Sequence, residues 1–368
     1  MDVTWTEDGA GGVRLRFKVK EKHSWIIAPT FYFQPGNIGG GVGYLETNLF
    51  GTTKKLLLYG QYATADTLFF GTVWDPAVNG TDWTLRFDTL LRRERVTEYG
   101  LDAGGVNRPI RDSTYLYLNF AGLFGRVLAR GVTIDLRLRG SYTGFTDASW
   151  VDPEETRPVE TPQDSGFDTS TELRLLIDRR EYWNGVFKGV YFALSHERSL
   201  PALSDFRYWV FFGKTVAAIK LFGTHNLIHK GWFGRGVHLT FPQEFPSGGT
   251  DPAGSSLRGL TSRELRGDTK VSSTIEYSWQ IAWLFKRFAV RGLVFWDATL
   301  SGYASPRTDG TRRYVEGQLG DPRFWNGVGG GFRVYIKTVV IPLVGFDVGY
   351  GLESKQWNVY LALGLTEL

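Results

Sequence analysis

The feature that most constrains this chain is a two-residue alternation of apolar and charged side chains over long segments. In the segment 132–139, Val, Ile and Leu alternate with Thr, Asp and Arg. The segments that begin near Glu172 and Thr274 repeat the pattern, with Tyr and Trp at some of the apolar positions. Because successive side chains of a strand point to opposite faces, this period predicts β-strands with one apolar and one polar face.

Two all-β folds alternate in this way, a soluble β-sandwich and a transmembrane β-barrel. Sandwich strands are usually about five or six residues long, whereas many of these segments reach ten or more. Charges in the middle of the polar face suit a water-filled lumen, and aromatic residues at the ends of the apolar face suit a membrane interface. The sequence contains no run of about 18 apolar residues, so it predicts no transmembrane helix. We therefore predict an all-β transmembrane barrel of the Gram-negative outer-membrane type.

Turn and loop residues divide the predicted barrel into sixteen antiparallel strands. The expected ranges are 24–33, 37–49, 54–65, 67–76, 82–94, 112–124, 131–144, 167–179, 185–198, 205–220, 225–240, 269–284, 286–302, 325–337, 341–352 and 355–367. When the connections between strands are numbered along the chain, the long ones are all odd-numbered: 95–111, 145–166, 241–268 and 303–324. Most even-numbered connections are short. Bacterial barrels have long extracellular loops and short periplasmic turns, which predicts the orientation.

The N-terminal stretch is expected to lie outside the barrel. Apolar and basic residues alternate from Val13 to Lys20, which predicts a further strand. We divide the chain into residues 1–23, an edge strand or the end of a periplasmic segment, and residues 24–368, the barrel. The first residues do not resemble a signal peptide, and we expect Met1 to begin a mature or truncated chain.

Composition argues against several function classes. The chain has no Cys, which excludes disulfides, thiolate metal sites and Cys nucleophiles. A formal charge of +4 over 368 residues gives no basis for nucleic-acid binding. His225 and His229 are four residues apart on a predicted strand, a spacing that does not converge on a metal ion there as it would on a helix. No GxSxG nucleophile motif occurs. We therefore expect no cofactor, no metal and no enzymatic activity.

Three segments carry a family resemblance. Leu257 to Leu260 read LRGL within the loop 241–268, residues 295–297 read FWD on the thirteenth predicted strand, and Glu276 lies on the twelfth. Together they resemble the Omp85 superfamily of outer-membrane assembly and transport barrels, which carries an [IV]RG[FY] motif in its sixth extracellular loop. Leu replaces the β-branched and the aromatic residue of that motif. Residues 14–29 are similar to the end of a POTRA domain that leads into the first barrel strand.

The same residues also make physical sense together. Glu276 and Asp297 occupy the inward phase of adjacent strands, and Arg258 can donate charge-assisted hydrogen bonds to a carboxylate. Gly259 would let the loop turn sharply or approach the wall closely. We expect Arg258 to pair with Asp297, Glu276 or both, and loop six to fold into the lumen.

The resemblance implies an outer-membrane protein that helps other β-barrels to fold and insert. The seam between the first and last strands should be weakly paired, and the expected seam residues are Trp25, Ile27, Pro29, Val359, Leu361 and Leu363. The alternatives are a secretion translocator of the same superfamily, either two-partner or patatin-type, or a passive porin. Implied partners are client barrels or secreted proteins, outer-membrane lipid including lipopolysaccharide, and accessory lipoproteins. The chain ends in Leu368 rather than the aromatic residue usual for such barrels.

Overall fold

The computed structural model describes residues 2–8, 12–18, 23–102, 107–183, 185–250, 256–305, 312–314, 321–336 and 342–364. Neither of the two short 3-10 helices in these ranges, Val78–Gly80 and Phe241–Gln243, is long or apolar enough to cross a membrane. Two strands, β1 (Asp2–Asp8) and β2 (Gly12–Lys18), form an antiparallel hairpin of their own. The sequence predicted a strand at the position of β2 but not its partner β1.

The rest of the chain forms one closed antiparallel barrel in which consecutive strands pair and the last strand meets the first. Its strands are β3 Trp25–Gln34, β4 Asn37–Leu49, β5 Lys54–Ala63, β6 Asp66–Asp75, β7 Trp83–Leu101, β8 Asn107–Ala129, β9 Val132–Trp150, β10 Gly166–Asp178, β11 Glu181–Trp183, β12 Val186–Ser199, β13 Trp209–Lys220, β14 Asn226–Val237, β15 Thr269–Leu284, β16 Phe288–Gly302, β17 Arg323–Ile336, β18 Pro342–Gly351 and β19 Trp357–Leu363. β11 is a short addition that pairs with the start of β12, while β10 pairs directly with β12. The predicted sixteen-stranded barrel is therefore confirmed.

Alternation explains why these segments form a barrel wall. On β9, the outward side chains of Ile134, Leu136 and Leu138 are 37%, 54% and 55% exposed, whereas the inward Asp135 and Arg139 are buried. The apolar phase can face lipid, and the charged phase is satisfied inside by other charges. Arg139 Nη2, for example, donates to Asp168 Oδ2 on β10 at 3.1 Å.

The predicted loop 95–111 is wrong in its extent. Strands β7 and β8 continue as a paired hairpin to Leu101 and from Asn107, so that residues 102–106 alone connect them. Pairs such as Glu98 with Arg111 lie in this extension. Polar residues occupy many successive positions in this extension. The sequence therefore lacks the alternation of apolar and polar residues that predicts a membrane strand.

Candidate functional site

Arg258 lies at the centre of a buried charge network that we call the loop anchor, formed by Arg258, Glu276, Asp297 and Asp347. Its side chain is 0% exposed. Nε and Nη2 donate to the two carboxylate oxygens of Asp297 at 2.8 and 2.9 Å, and the backbone N–H of Arg258 adds a third bond at 2.9 Å. Nη1 donates to Asp347 Oδ2 at 2.9 Å, and Nη2 lies 3.1 Å from Glu276 Oε1. One loop residue thus joins β15, β16 and β18.

The surrounding charges balance the network. Lys230 Nζ lies 3.3 Å from Glu276, and Arg333 donates to both oxygens of Asp347 at 2.6 and 2.8 Å. Three cations therefore face three carboxylates. Burial opposes the charge on Arg258, but the carboxylates, Asp297 foremost, outweigh it and hold the pKa of the guanidinium above its ordinary value. Its central carbon also lies 3.4 Å from the ring centre of Phe295, a cation–π contact.

The backbone of the loop rests directly on the barrel wall. Gly259 has a φ of 111°, a conformation that favours glycine, and a Cβ there would lie 2.3 Å from the backbone nitrogen of Gly351. A Cβ on Gly327 would lie 1.8 Å from the carbonyl oxygen of Arg258. The N–H of Gly259 donates to Tyr360 Oη at 2.9 Å, and Tyr360 donates to the carbonyl of Leu260 at 2.8 Å. Through Tyr360 the loop also reaches β19, the last strand.

Loop six, residues 238–268, contacts the other side of the barrel as well. Arg263 pairs with Glu94 on β7, and Thr250 Oγ1 donates to Gln34 on β3 at 3.1 Å. Glu264 accepts from the N–H of Thr261 at 2.9 Å and from Asn107 at 3.4 Å. Burial raises the pKa of Glu264 above its usual range, and these donors offset part of the effect. The loop contacts therefore span from β15 through β19 to β3, β7 and β8.

A second buried cluster, which we call the extracellular latch, joins the β7–β8 hairpin to two loops and consists of Glu98, Arg111, Glu244 and Arg312. Arg111 Nε donates to Glu98 at 2.7 Å. Arg312 Nε donates to Glu244 in loop six at 2.6 Å, and its Nη2 donates to Glu98 at 3.1 Å. Arg312 also donates to the carbonyl of Pro162 at 2.9 Å. The sequence analysis did not identify this cluster, because its members lie in separate loops and strand extensions.

The seam is the pairing of β19 with β3, and it is short within the described residues. Three residue pairs join these strands in the described chain, Leu361 with Phe33, Ala362 with Tyr32 and Leu363 with Phe31. By contrast, ten pairs join β3 to β4, and seven join β18 to β19. Among the described residues, few backbone hydrogen bonds therefore close the barrel.

The predicted seam residues divide into two groups. Leu361 and Leu363 pair across the seam. Trp25, Ile27 and Pro29 pair with β4, and Val359 pairs with Val348 on β18. No described residue of β19 pairs with residues 25–30 of β3.

The end of β19 bends at the seam. Gly364 follows the last seam pair, has a φ of 92° and packs on the backbone of Pro29 and Thr30. Pro29 has no N–H to offer a neighbouring strand at this point.

Comparison with known proteins assigns the family. The sequence model of the Omp85 superfamily domain matches residues 48–358, most of the chain. The chain belongs to the Omp85 superfamily. No curated protein sequence matches it closely enough to count as a relative.

Solved structures share the fold of this Omp85 barrel at low sequence identity. BamA from Haemophilus ducreyi lacking POTRA domains 1–3 superposes with a TM-score of 0.67 at 15% identity, over 100% of this chain and 75% of that one. CdiB from Acinetobacter baumannii gives 0.62 at 15% identity, over 100% and 65%, and CdiB from Escherichia coli gives 0.62 at 12%, over 99% and 67%. The chain thus spans about two thirds of each CdiB protein. Family and fold together make it a bacterial outer-membrane protein.

The structure brings Arg258, Glu276 and Asp297 of the predicted anchor of this Omp85 barrel together. Arg258 meets both Asp297 and Glu276, and Gly259 lies against the wall. Asp347 and Tyr360 were not identified from the sequence. Both lie on the inward phase of the last two strands, and Asp347 stands between apolar residues in the segment GFDVG, which is a signal that could have been used.

Proposed function

We propose that this Omp85 barrel assists the insertion of β-barrel proteins into the outer membrane by pairing client strands with β3. The three-pair seam carries the proposal. An edge strand with unused backbone N–H and C=O groups is a template for another strand, and β-augmentation is a recurring mode of peptide recognition. Residues 25–30 of β3 provide such an edge within the described chain.

The energetics of the seam suit reversible opening. A backbone hydrogen bond contributes about 0.5–1.5 kcal/mol net, so the three described residue pairs together contribute only a few kcal/mol to closure of the seam. The outward side chains of Trp25 and Ile27 are 50% and 57% exposed, so an added strand would extend the apolar face into the lipid. Loop six contacts both edges from inside, β19 through Tyr360 and β3 through Gln34, which supports the wall while the seam opens.

A disulfide across the seam tests this function directly, because the native chain has no Cys. The paired positions in Phe33→Cys with Leu361→Cys would lock β3 to β19. The matched control, Val348→Cys with Val359→Cys, places the same bond between β18 and β19, which are already well paired. Proteoliposomes that contain the oxidised seam variant should no longer accelerate folding of an unfolded client barrel, and reduction should restore the effect.

Two results would count against the insertase. One is client folding at the rate seen with empty liposomes when the unlocked protein is present. The other is equal activity of the seam-locked and control-locked proteins, which would show that the seam need not open.

A second candidate is a secretion translocator, favoured by open space inside the barrel. A cavity of about 620 Å³ lies between loop six and strands β3 to β7. Its lining includes Tyr32, Gln61, Asp66, Arg92 and Arg263. Planar-bilayer conductance distinguishes the two functions. A translocator should pass an unfolded polypeptide that blocks the current in a voltage-dependent way, and an insertase should not.

A further inference from the structure

The cavity of about 620 Å³ beside loop six has the size of a small-molecule site, since such sites usually measure about 300–1,000 Å³. It lies where the barrel wall ends early, because residues 35–36 join β3 to β4 and residues 64–65 join β5 to β6 in short turns. Loop six forms the opposite wall with residues from 246–250 and 261–266. The space can therefore hold a small organic molecule but not a folded polypeptide.

The charged side chains that line this cavity do not balance. The described lining contains four arginines and two carboxylates, namely Arg92, Arg95, Arg263, Arg266, Asp66 and Glu94. Arg95 pairs with Asp112, outside the lining, at 2.7 Å. Asp66 and Glu94 each lie 3.1 Å from Arg92, and Glu94 also pairs with Arg263. Three arginines thus face two carboxylates, so the described lining carries one excess positive charge.

Arg266 has the weakest ion pair of these arginines. Its side chain is 11% exposed, and its nearest carboxylate among the described residues, Glu244, lies 3.9 Å away and is held at 2.6 Å by Arg312. Nη1 donates to the carbonyl of Phe241 at 3.3 Å, and the guanidinium carbon lies 3.8 Å from the centre of the Phe241 ring. Nε has no hydrogen-bond partner within the described chain. Because buried charges are normally paired, Arg266 is suited to bind an anion.

A second polar group without a partner lies next to Arg266. Ser247 is 3% exposed and lines the same cavity, and its Oγ has no hydrogen-bond partner among the residues that the structure describes. Its backbone N–H and C=O bond Leu265, the residue before Arg266, at 2.8 and 2.9 Å. Leaving buried donors unsatisfied costs free energy, which a ligand with acceptor oxygens would recover.

The barrel side of the cavity presents a fixed set of hydroxyl, amide and carboxylate groups. Tyr32 Oη accepts from Asn37 Nδ2 and from Gln61 Nε2, each at 3.0 Å, and donates to Asp66 at 3.2 Å. Gln61 also donates to Asp66 at 2.7 Å. Side chains held in this way can exchange hydrogen bonds with the hydroxyl groups of a ligand at little cost in side-chain entropy.

Apolar side chains complete the lining, among them Phe33, Leu68, Val96 and Leu361. A ligand that suits the whole cavity must therefore combine an anionic group, several hydroxyl groups and an apolar C–H face. Sugar acids and sugar phosphates have all three. An inorganic anion would leave most of the volume empty, and a fatty acid would leave the hydrogen-bonding groups around Tyr32 unused.

We propose that this cavity binds a small anionic sugar. The carboxylate or phosphate of the sugar accepts charge-assisted hydrogen bonds from Arg266 and a further bond from Ser247, and its hydroxyl groups bind the side chains around Tyr32. The site lies beside the seam, because Phe33 and Leu361 pair across it, but binding does not require the seam to open. The proposal therefore stands or falls apart from the insertase and translocator functions.

Saturation-transfer NMR on the full chain in lipid nanodiscs tests the class of ligand. The probes are glucuronate, glucose 6-phosphate, neutral glucose and acetate, with empty nanodiscs as the blank. At least one of the two anionic sugars should bind about tenfold more tightly than glucose or acetate, because a hydrogen bond to a charged group is worth more than a neutral one. The tighter of the two shows whether the site takes a carboxylate or a phosphate.

Two substitutions test the residues that bind the anion. Arg266→Gln should weaken binding of the anionic sugar about tenfold and leave that of glucose unchanged, and Ser247→Ala should weaken it about threefold. The matched control is Arg157→Gln, an arginine that is 60% exposed in its pair with Glu155 and should have no effect. Each variant is first shown to fold by its heat-dependent shift in gel mobility.

Amide exchange of the parent protein gives a measurement that needs no variant. The anionic sugar should slow exchange in residues 246–250 and 261–266 and leave β10 and β12, on another part of the wall, unchanged.

Any of three results would overturn the proposal. The first is affinity of both anionic sugars no higher than that of glucose. The second is binding that is unchanged in both Arg266→Gln and Ser247→Ala, or that leaves exchange of loop six unaltered. The third is acetate that binds as tightly as the sugars, which would show that the cavity recognises charge alone.

Discussion

Replacing Arg258 with Ala should destabilise loop six by an amount that the loop anchor allows us to estimate. Glu276 retains Lys230 at 3.3 Å and Asp347 retains Arg333 at 2.6 Å. Asp297 is different, because both of its carboxylate oxygens bind Arg258 and it is 0% exposed. The variant therefore leaves one buried carboxylate with a single backbone N–H. Removing one partner of a buried ion pair costs about 3–5 kcal/mol, which is our expected loss.

Two measurements would detect this loss. The free energy of unfolding from urea titration of the folded barrel in vesicles should fall, and trypsin should cut loop six at Arg263 or Arg266 much faster. The matched control is Arg157→Ala, a loop arginine that is 60% exposed in its pair with Glu155 and should cost less than about 1 kcal/mol. Arg258→Lys should fall between, because an ammonium does not reproduce the forked contact with three carboxylates.

A double substitution provides the sharpest check. Arg258→Met combined with Asp297→Leu removes both charges, so it should recover much of the stability lost in Arg258→Ala. Equal stability of Arg258→Ala and the parent protein, with unchanged trypsin sensitivity, would refute the anchor. Simple additivity of the two substitutions would show that the residues are not coupled.

Two further predictions concern the loops above the barrel. Arg312→Ala removes the main partner of buried Glu244, because the next cation, Arg266, is 3.9 Å away. The variant should lower the free energy of unfolding by about 3 kcal/mol and raise the resting conductance in planar bilayers. An unchanged conductance would show that the extracellular latch does not restrict the mouth of the barrel. Because burial raises the pKa of Glu264, packing of loop six should be strongest below the ordinary Glu value of about 4.3 and weaken as pH rises through the raised pKa. Amide exchange of loop six should show this trend in the parent and lose it in Glu264→Gln.

The barrel itself could be predicted because its physics is local. Alternation along each strand follows from lipid on one side and charges on the other, and short turns fix the neighbours. The part of the β7–β8 hairpin beyond Glu94 was missed because it carries charged residues such as Glu98 and Arg111, which show no apolar alternation.

The register of the seam could not be predicted from local sequence patterns. A short turn sets the register of adjacent strands, but no turn connects β19 to β3, so the sequence could name both strands without their register. Leu361 was expected at the seam and pairs there, whereas its partner Phe33 was not named. The contact of Arg258 with Asp297 could be predicted because a sequence motif supplied the long-range pairing. The contact with Asp347 could not, because the motif does not include that residue.

The close fit of loop six on its wall has a consequence for mutational tolerance. A methyl group at Gly327, Gly349 or Gly351 would collide with the backbone of Arg258 or Gly259 at 2.9 Å or less. Replacing any of these three glycines should therefore displace the same guanidinium that Arg258→Ala removes. A saturation mutagenesis profile should show glycine sites in β17 and β18 that are as intolerant as position 258, although they carry no charge and donate no side-chain bond.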